Sequence, residues 1–412
     1  PFNSDRAACR SLWDVYRAAL AAVGGRRCVA SSLRARPLHG PVYAVAIGKA
    51  AASMLDGAFD VLGDRLRRAF LVTKRGHASS RPDVRVETHE TGHPIPDAAS
   101  LLAGERLLHF LGAAPPDVEW LFLISGGASS LVEVLPERIG LAALQRLNAW
   151  LVASGLPIEQ INRVRQRVSR IKGGRLRGYL NARPARALFI SDVPNDDPGM
   201  IGSGLLHASP ADSALPPLPA EFARCLEADE VFTPVAAGPL ETEIVANLER
   251  ALRAAERAAA NLGLTVHRHT EALTGDATAV GRRLAATVMR GSPGIHLWGG
   301  ETTMVLPDCP GQGGRCQQLA LAAAEMLDGR SDIALLAAGT DGSDGPGEAA
   351  GAWVDGRTLQ RGDAAGLDIR QALSNADSGR FLEAAGGLLE TGPTGTNVTD
   401  LVVALKRPSG LP

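Results

Sequence analysis

Several glycine-containing turns are the segments of this sequence best suited to binding an anionic ligand. Each follows a short apolar run that predicts a β-strand, and they are Gly48-Lys49, Ser125-Gly126-Gly127, Gly299-Gly300-Glu301 and Gly339-Thr340-Asp341-Gly342. A further cluster, Gly311–Arg315, directly precedes a predicted helix. Glycine lets the backbone approach a ligand closely, and a helix N-terminus offers free N–H groups to phosphate. The recurrence of this pattern predicts a binding site for a phosphorylated ligand.

Lys49 is the side chain with the most specific predicted role. It follows an apolar strand and opens a helix of small residues, where a compact cation among glycines is well placed to hold phosphoryl oxygens. The segment is not a P-loop, because Ala50 follows the lysine and Tyr43 stands where the first glycine belongs. The alternative interpretation of Lys49 is a surface lysine.

Two acidic loops are candidates for binding Mg²⁺ or accepting a proton. Ser191–Pro198 and Gly339–Gly345 each follow a predicted strand, and Asp192 and Asp341 follow those strands most directly. Mg²⁺ prefers one or two carboxylates together with waters and substrate phosphates. Either loop could supply them. The alternative is an Asx turn, in which the aspartate binds its own backbone.

A basic segment lies between Arg163 and Arg177 and includes Arg165 and Lys172. A nucleic-acid surface would interleave aromatic residues with these cations, and none appears before Tyr179. A helix face that presents Arg or Lys to an anionic substrate fits better. The alternative is a solvated charged face.

The elements that position these residues follow a repeated order of strand, glycine turn and helix. This order is typical of a parallel sheet with helices on both faces, and ligands bind such sheets at the carboxyl ends of the strands. Pro210–Pro219 is rich in proline and predicts a connector. A second α/β section starts near Pro239, so we expect one domain over residues 1–238 and another over 239–412.

Composition excludes several classes of function. Lys plus Arg is 43 and Asp plus Glu is 44 in 412 residues, so the charge gives no pull toward nucleic acid or an anionic membrane. The cysteines form no C-x-x-C pair, and the histidines show no metal-ligand spacing. No apolar run is long enough to span a bilayer, and we expect a cytoplasmic protein.

The motifs above, taken in order from Ala44 to Asp400, resemble those of class II glycerate kinases, the family built from a DUF4147 and a MOFRL domain. The segments that carry the resemblance are Ala46–Ala50, Thr91–Asp97, Ile124–Ser130, Asn162–Gly174, Ser191–Gly204, Gly299–Thr303, Gly313–Arg315, Gly339–Gly345 and Gly395–Asp400.

The resemblance implies a Rossmann-like N-terminal domain, a smaller α/β MOFRL domain and an active site in the cleft between them. It implies transfer of the ATP γ-phosphoryl group to D-glycerate with Mg²⁺, usually at the 2-hydroxyl. The resemblance implies that Lys49 and Arg315 are catalytic, and from its place in the acidic loop we expect Asp192 to be catalytic as well. Nucleotide contacts are expected from Gly48, Ser125, Gly126, Gly127, Ala128, Ser129, Gly299, Gly300, Glu301 and Asp341. Substrate contacts are expected from Arg165, Lys172 and His93, and metal contacts from Asp192 and Asp341.

One departure from the family pattern follows Arg315. The family reads G-G-R-N-Q-E, whereas this chain has Cys316 and Gln318 in place of the amide and the carboxylate. This departure leaves open a non-catalytic homologue that senses a ligand. The resemblance leaves open a hydroxypyruvate reductase, because relatives have been labelled as such. The expected partner is a small-molecule substrate, D-glycerate, with no nucleic acid and no membrane, and a homodimer is left open.

Overall fold

The computed structural model describes residues 7–78, 83–208, 215–226 and 237–408. Contacts divide the chain into two compact units. The parallel-sheet unit holds residues 24–247 and 395–397, and the mixed-sheet unit holds the chain up to Val23, residues 248–394 and the chain from Val398 onward. Part of the predicted connector, Pro210–Pro219, lies outside the described residues.

The two units are built from helices and strands that alternate along much of the chain. The strands are β1 (Val42–Ile47), β2 (Leu66–Lys74), β3 (Val86–Thr91), β4 (Glu119–Ile124), β5 (Ala185–Ile190), β6 (Leu240–Ala246), β7 (Val266–Arg268), β8 (Gly294–Gly300), β9 (Ile333–Gly339), β10 (Ala349–Asp355), β11 (Leu388–Glu390) and β12 (Asp400–Lys406). The helices are α1 (Ala7–Val23), α2 (Gly25–Ala35), α3 (Ala51–Leu62), α4 (Ala98–Gly112), α5 (Ala128–Leu131), α6 (Leu141–Ala153), α7 (Ile158–Arg167), α8 (Ala220–Leu226), α9 (Leu248–Asn261), α10 (Ala277–Arg290), α11 (Arg315–Leu327), α12 (Thr358–Ala364), α13 (Ile369–Ser374) and α14 (Ser378–Ala384).

The parallel-sheet unit is organised around a six-stranded sheet with the order β3-β2-β1-β4-β5-β6, in which each pairing is parallel. This is the Rossmann-like order, and the predicted fold class is confirmed. The order reverses between β1 and β4. In open α/β sheets, ligands bind outside the carboxyl ends of the strands at this reversal.

The strands beside the reversal are apolar because helices cover both faces of the sheet. Every residue of β4 after Glu119 is buried, and so is β1 apart from Tyr43. Asp97 caps α4, because its Oδ1 accepts a hydrogen bond of 3.0 Å from Ser100 N. The rigid strands and their capped helices fix the loops that follow the carboxyl ends.

The mixed-sheet unit contains a sheet with the order β11-β10-β9-β12-β8-β7, in which β12 lies between β8 and β9. Only the β7–β8 pairing is parallel among these described strands. Asp400 opens β12 and pairs with Gly300 on one side and Gly339 on the other. This register brings the predicted glycine turns after β8 and β9 to either side of Asp400.

The division of the chain differs from the predicted boundary after residue 238 in two places. Helix α1 belongs to the mixed-sheet unit, where Tyr16 Oη donates a hydrogen bond of 2.7 Å to Gly339 O. Strand β6 begins after Pro239 but extends the parallel sheet by pairing with β5. An amphipathic helix and an edge strand bind whichever sheet they can cover or extend, and the linear sequence does not identify that sheet.

Candidate active site

The turns after β1 and β4 contact each other at the reversal of the parallel sheet. Lys49 N donates to Gly126 O at 3.0 Å, and Ala50 N donates to Ser125 Oγ at 3.0 Å. Gly48 has a φ of +131°, and a Cβ there would overlap Ser125. The close approach of the two turns therefore requires glycine at this position.

Lys49 and His93 flank the second glycine of the turn after β4. A Cβ on Gly127 would lie 3.2 Å from Lys49 Cγ and 3.3 Å from His93 Nε2. Both side chains are half-buried. Helix α5 then begins at Ala128, with Ser129 in its first turn. The cation and the imidazole are thus held beside backbone that only glycine could place so near.

Asp192 follows β5 and lies against the first glycine of the same turn. A Cβ on Gly126 would overlap both the Asp192 carboxylate and the Asn397 amide. Asn397 Nδ2 donates to Asp192 Oδ2 at 2.9 Å. The loops after β1, β3, β4 and β5 therefore bring together Lys49, His93, Ser125, Gly126, Gly127 and Asp192.

Lys172 differs from its predicted role as a substrate ligand. Its side chain is 2% exposed, and Nζ forms an ion pair with Glu133, which is 1% exposed. Ser169 Oγ donates to the same carboxylate at 2.5 Å. Burial lowers the pKa of Lys172, and the charge of Glu133 opposes that effect. The ammonium group is engaged inside the unit, so direct contact with a substrate is at odds with its position.

Arg165, by contrast, is only half-buried and has a neutral partner. Its Nε donates to Asn148 Oδ1 at 3.0 Å. Burial lowers the pKa of Arg165, and the nearby Glu133 acts in the opposite direction. Arg165, Lys172 and Glu133 interact electrostatically, so two cations share one carboxylate. An anion would be stabilised beside this group.

In the mixed-sheet unit, Arg315 opens α11 and is held by two carboxylates. Nε and Nη2 donate to Asp400 at 2.6 and 2.8 Å, and Nη1 lies 3.0 Å from Glu301 Oε1. The Arg315 side chain is 34% exposed and that of Asp400 is 4% exposed. Burial opposes the charge, but the Asp400 carboxylate outweighs it and raises the pKa of Arg315. The guanidinium is therefore charged, oriented and accessible.

Two further aspartates of this unit bind backbone N–H groups. Asp344 caps α11, accepting from Cys316 N at 3.0 Å and from Gln317 N at 2.8 Å. Burial raises the pKa of Asp344 to about 6 despite these bonds. Asp341 Oδ1 accepts from Ser343 N at 2.9 Å, which is the Asx turn left open by the sequence. The glycine frame around both aspartates thus has a structural role as well.

The residues that depart from the family pattern are internal. Cys316 is 2% exposed, and burial raises the pKa of its thiol. Gln318 Nε2 donates to Thr278 Oγ1 at 3.1 Å and to Leu373 O at 2.9 Å. Gln318 thus joins α11 to α10 and α13, so its replacement of a carboxylate is a packing change within the unit.

Sequence reasoning passed over three polar residues that hold the predicted site residues, namely Glu133, Asn397 and Asp400. Glu133 is a charged residue in the apolar run after the turn that follows β4, and such an interruption signals a buried pair. Asn397 and Asp400 stand in the last motif of the chain, far in sequence from their partners.

Within the described ranges, no group of three or more His, Cys, Asp or Glu side chains could hold a metal ion. Over the same residues, no helix is long and apolar enough to cross a membrane. Two histidines of the mixed-sheet unit are hydrogen-bonded to each other, because His269 Nε2 and His296 Nδ1 lie 3.1 Å apart.

Comparison with known proteins covers both units. The domain of unknown function DUF4147 matches residues 11–216, and the MOFRL family matches residues 294–400. The D-glycerate 2-kinase of Thermotoga maritima is 37% identical over 378 residues, which is 88% of this chain and 90% of that protein. The chain belongs to the glycerate kinase family.

A solved structure and a second relative are also similar to this chain over nearly its whole length. The crystal structure of Thermotoga maritima glycerate kinase superimposes with a TM-score of 0.80 at 34% identity, covering 96% of this chain and 99% of that one. A protein of Agrobacterium vitis that carries a hydroxypyruvate reductase name is 37% identical, over 95% of each chain. Names within this glycerate kinase family therefore span two activities.

Proposed function

We propose that this protein transfers the γ-phosphoryl group of ATP to the 2-hydroxyl of D-glycerate, giving ADP and 2-phosphoglycerate. The observation that carries the proposal is the grouping of Lys49, His93 and Asp192 around the Gly126-Gly127 turn at the sheet reversal. A relative named D-glycerate 2-kinase supports the same acceptor position.

Lys49 and Arg315 neutralise the phosphoryl charge, because phosphoryl transfer depends on positioning and electrostatics more than on covalent chemistry. The 2-hydroxyl oxygen attacks the γ-phosphorus, the bond to the bridging oxygen breaks, and ADP leaves. The hydroxyl proton passes to an acceptor carboxylate, for which Asp192 and Asp341 are the candidates. Backbone groups bind the nucleotide oxygens at Gly48, Ser125, Gly126, Gly127, Ala128, Ser129, Gly299, Gly300 and Glu301.

Asp192 or Asp341 would hold Mg²⁺ through the hard oxygen donors that this ion prefers, and the ion would supply charge neutralisation to the ATP phosphates. Few protein ligands are needed, because phosphates and waters complete its coordination. Asp192 is therefore either a metal ligand or the proton acceptor. Electron paramagnetic resonance of Mn²⁺ with ATP separates the roles: Asp192→Asn weakens Mn²⁺ binding in the first case and spares it in the second.

The glycerate carboxylate binds Arg165, with His93 contacting the substrate. Arg165 is the accessible member of the group that shares Glu133, and its guanidinium matches a carboxylate in shape and charge. Lys172 supports this group from inside by pairing with Glu133. Arg165→Gln is expected to raise KM for D-glycerate by roughly tenfold, the equivalent of one lost ionic hydrogen bond.

A coupled ADP-release assay with D-glycerate, ATP and Mg²⁺ tests the function, and ³¹P NMR of the product identifies the phosphorylated carbon. Lys49→Met should lower kcat by ~10²–10³-fold, as loss of one preorganised donor does. Lys406→Met is the matched control, because Lys406 Nζ binds the carbonyls of Met289 and Gly291 in the other unit. Equal turnover of Lys49→Met and wild type would refute the role of Lys49.

The second candidate function is reduction of hydroxypyruvate, favoured by the name of the Agrobacterium vitis relative. Its direct test is oxidation of NADH with hydroxypyruvate as substrate. The G-x-G-x-x-G pattern fails at Cys316, and the turn after β1 offers only Gly48 before Lys49. We therefore expect no NADH oxidation. ATP binding without turnover of any hydroxy acid would instead identify a ligand sensor.

A further inference from the structure

The last family motif, Gly395–Asp400, is here called the closing segment, and it contributes to both units. Gly395–Asn397 group with the parallel-sheet unit, and the chain from Val398 onward groups with the mixed-sheet unit. Gly395 O accepts from Gly25 N at 2.9 Å in the first unit. In the second, Val398 N donates to Thr340 Oγ1 at 2.8 Å. The segment is thus anchored by hydrogen bonds within each unit.

In the parallel-sheet unit, the closing segment holds Asp192. Asn397 is 7% exposed, and its Nδ2 donates to Asp192 Oδ2 at 2.9 Å. A Cβ on Gly126 would overlap both groups, so the amide, the carboxylate and the turn are packed in contact. A buried amide that donates to one carboxylate oxygen restrains the orientation of that carboxylate. Asn397 therefore helps to set where the second oxygen of Asp192 is directed.

In the mixed-sheet unit, the closing segment holds Arg315. Asp400 accepts from Nε and Nη2 of Arg315 through two parallel hydrogen bonds of 2.6 and 2.8 Å. Such a fork fixes the guanidinium plane as well as its position. Asp400 is itself fixed by β12, which pairs on both sides through Gly300 and Gly339. The carboxylate is therefore a rigid support for an accessible cation.

Thr399, between these two holding residues, has an unfavourable conformation. Its φ is +74°, a left-handed value that is a rare outlier for a β-branched residue. Its Oγ1 is buried and, among the described residues, has no hydrogen-bond partner. Thr340 holds this residue in place by donating to Thr399 O through N at 2.9 Å and through Oγ1 at 2.6 Å. Strain of this kind persists where surrounding contacts impose it, and it clusters at functional sites.

We infer that Asn397 and Asp400 are positioning residues for phosphoryl transfer: Asn397 orients Asp192, and Asp400 orients Arg315. The inference rests on the proposed function, since it assigns Asp192 and Arg315 their roles in the reaction. Asn397 and Asp400 stand on either side of Thr399, and their side chains contact residues of different units. A motif at the far end of the chain thereby sets the geometry of one catalytic group in each unit.

Steady-state kinetics with matched controls test this inference. Asn397→Ala and Asp400→Asn should each lower kcat by ~10–100-fold with KM for D-glycerate within about threefold, because misplaced catalytic groups lose rate rather than binding. Asn247→Ala is the control for the first, since Asn247 Nδ2 also donates to an aspartate, Asp196, in the same unit. Asp355→Asn is the control for the second, since Asp355 also pairs with an arginine, Arg361. Both controls should retain wild-type kcat.

Two further variants distinguish positioning from a general structural role. Asn397→Asp should lower kcat more than Asn397→Ala does, because a second carboxylate repels Asp192 where alanine only releases it. Arg315→Ala should regain at least tenfold in rate with millimolar guanidinium, and Arg315→Ala/Asp400→Asn should not, because Asp400 would hold the added cation. Circular dichroism and thermal unfolding verify that each variant is folded.

The outcomes separate the two proposals. If the wild type is active and Asn397→Ala and Asp400→Asn have the same kcat as the wild type, the positioning inference is overturned and the kinase proposal is left intact. The positioning inference would also be overturned if the variants and their controls lost kcat equally, or if guanidinium rescued Arg315→Ala/Asp400→Asn as well as Arg315→Ala. A wild type that releases no ADP with any hydroxy acid would refute the kinase proposal, and the positioning roles with it.

Discussion

Lys172 in the parallel-sheet unit and Arg315 in the mixed-sheet unit are both motif cations paired with a carboxylate, but their surroundings differ. Lys172 and Glu133 are 2% and 1% exposed, whereas Arg315 is 34% exposed above an Asp400 that is 4% exposed. A pair with both members inaccessible can only shape the interior. A pair with its cation accessible can also present that cation to a ligand. Burial of the cation, not its motif, separates the two roles.

The largest effect is expected from breaking the inaccessible pair. Lys172→Met leaves the Glu133 carboxylate buried without its cation, and should lower the free energy of unfolding by about 3–5 kcal/mol. Denaturant unfolding measures the loss. Lys172→Met/Glu133→Leu should recover most of it, because the uncompensated charge is then gone. Arg330→Met is the surface control: its pair with Asp332 is partly exposed and should contribute about 1 kcal/mol or less. Equal losses of unfolding free energy in Lys172→Met and Arg330→Met would contradict the view that the buried pair matters more for stability than an exposed one.

Asp344 is a buried carboxylate bound by backbone N–H groups and, among the described residues, not by a cation, so it differs from both pairs. The pH dependence of stability tests this difference. The pKa of Asp344 is about 6, above its ordinary value of 3.8, so the folded state favours the protonated form. The stability that this group contributes is present at low pH and is lost as pH rises through about 6. Between pH 4 and pH 7, wild type should lose about 2 kcal/mol relative to Asp344→Asn.

Asp332 is the control for that pH dependence, because its pKa is lowered, chiefly by Arg330. The stability contributed by Asp332 is present at neutral pH and is lost as pH falls through its lowered pKa, so the difference between wild type and Asp332→Asn should change in the opposite direction. Unfolding curves at several pH values measure both. A constant difference between wild type and Asp344→Asn would show that Asp344 does not titrate in this range.

The smallest of these effects in free energy concerns the accessible pair. Arg315→Lys keeps a cation beside Asp400, so the free energy of unfolding should change by about 1 kcal/mol or less. An ammonium cannot form the two parallel hydrogen bonds of a guanidinium, so kcat should fall by ~10²-fold. Kinetics and denaturant unfolding on one preparation measure both. If Arg315→Lys lost stability but kept its kcat, the Arg315–Asp400 pair would have a structural role and not the catalytic one assigned to it.

Much of the fold could be predicted from local pattern. Apolar runs that end in glycine turns predicted a parallel sheet with helices on both faces, and the structure has such a sheet of six strands. The position of Lys49 after β1 and of the glycine turn after β4 pointed to one edge of that sheet, where the two turns do contact each other. The unit to which α1 belongs could not be predicted, because an amphipathic pattern shows that a helix covers an apolar surface but not which surface it covers.

The sequence by itself determined the family, the strand and turn chemistry, and the residue types available to a phosphoryl-transfer site. Only the tertiary structure decided that Lys172 is enclosed with Glu133, that Arg315 stays accessible on Asp400, and that Asn397 contacts Asp192. The physical reason is that residue type and local period fix what a side chain can do. Burial and charge pairing arise from contacts between distant segments, and these decide what it does.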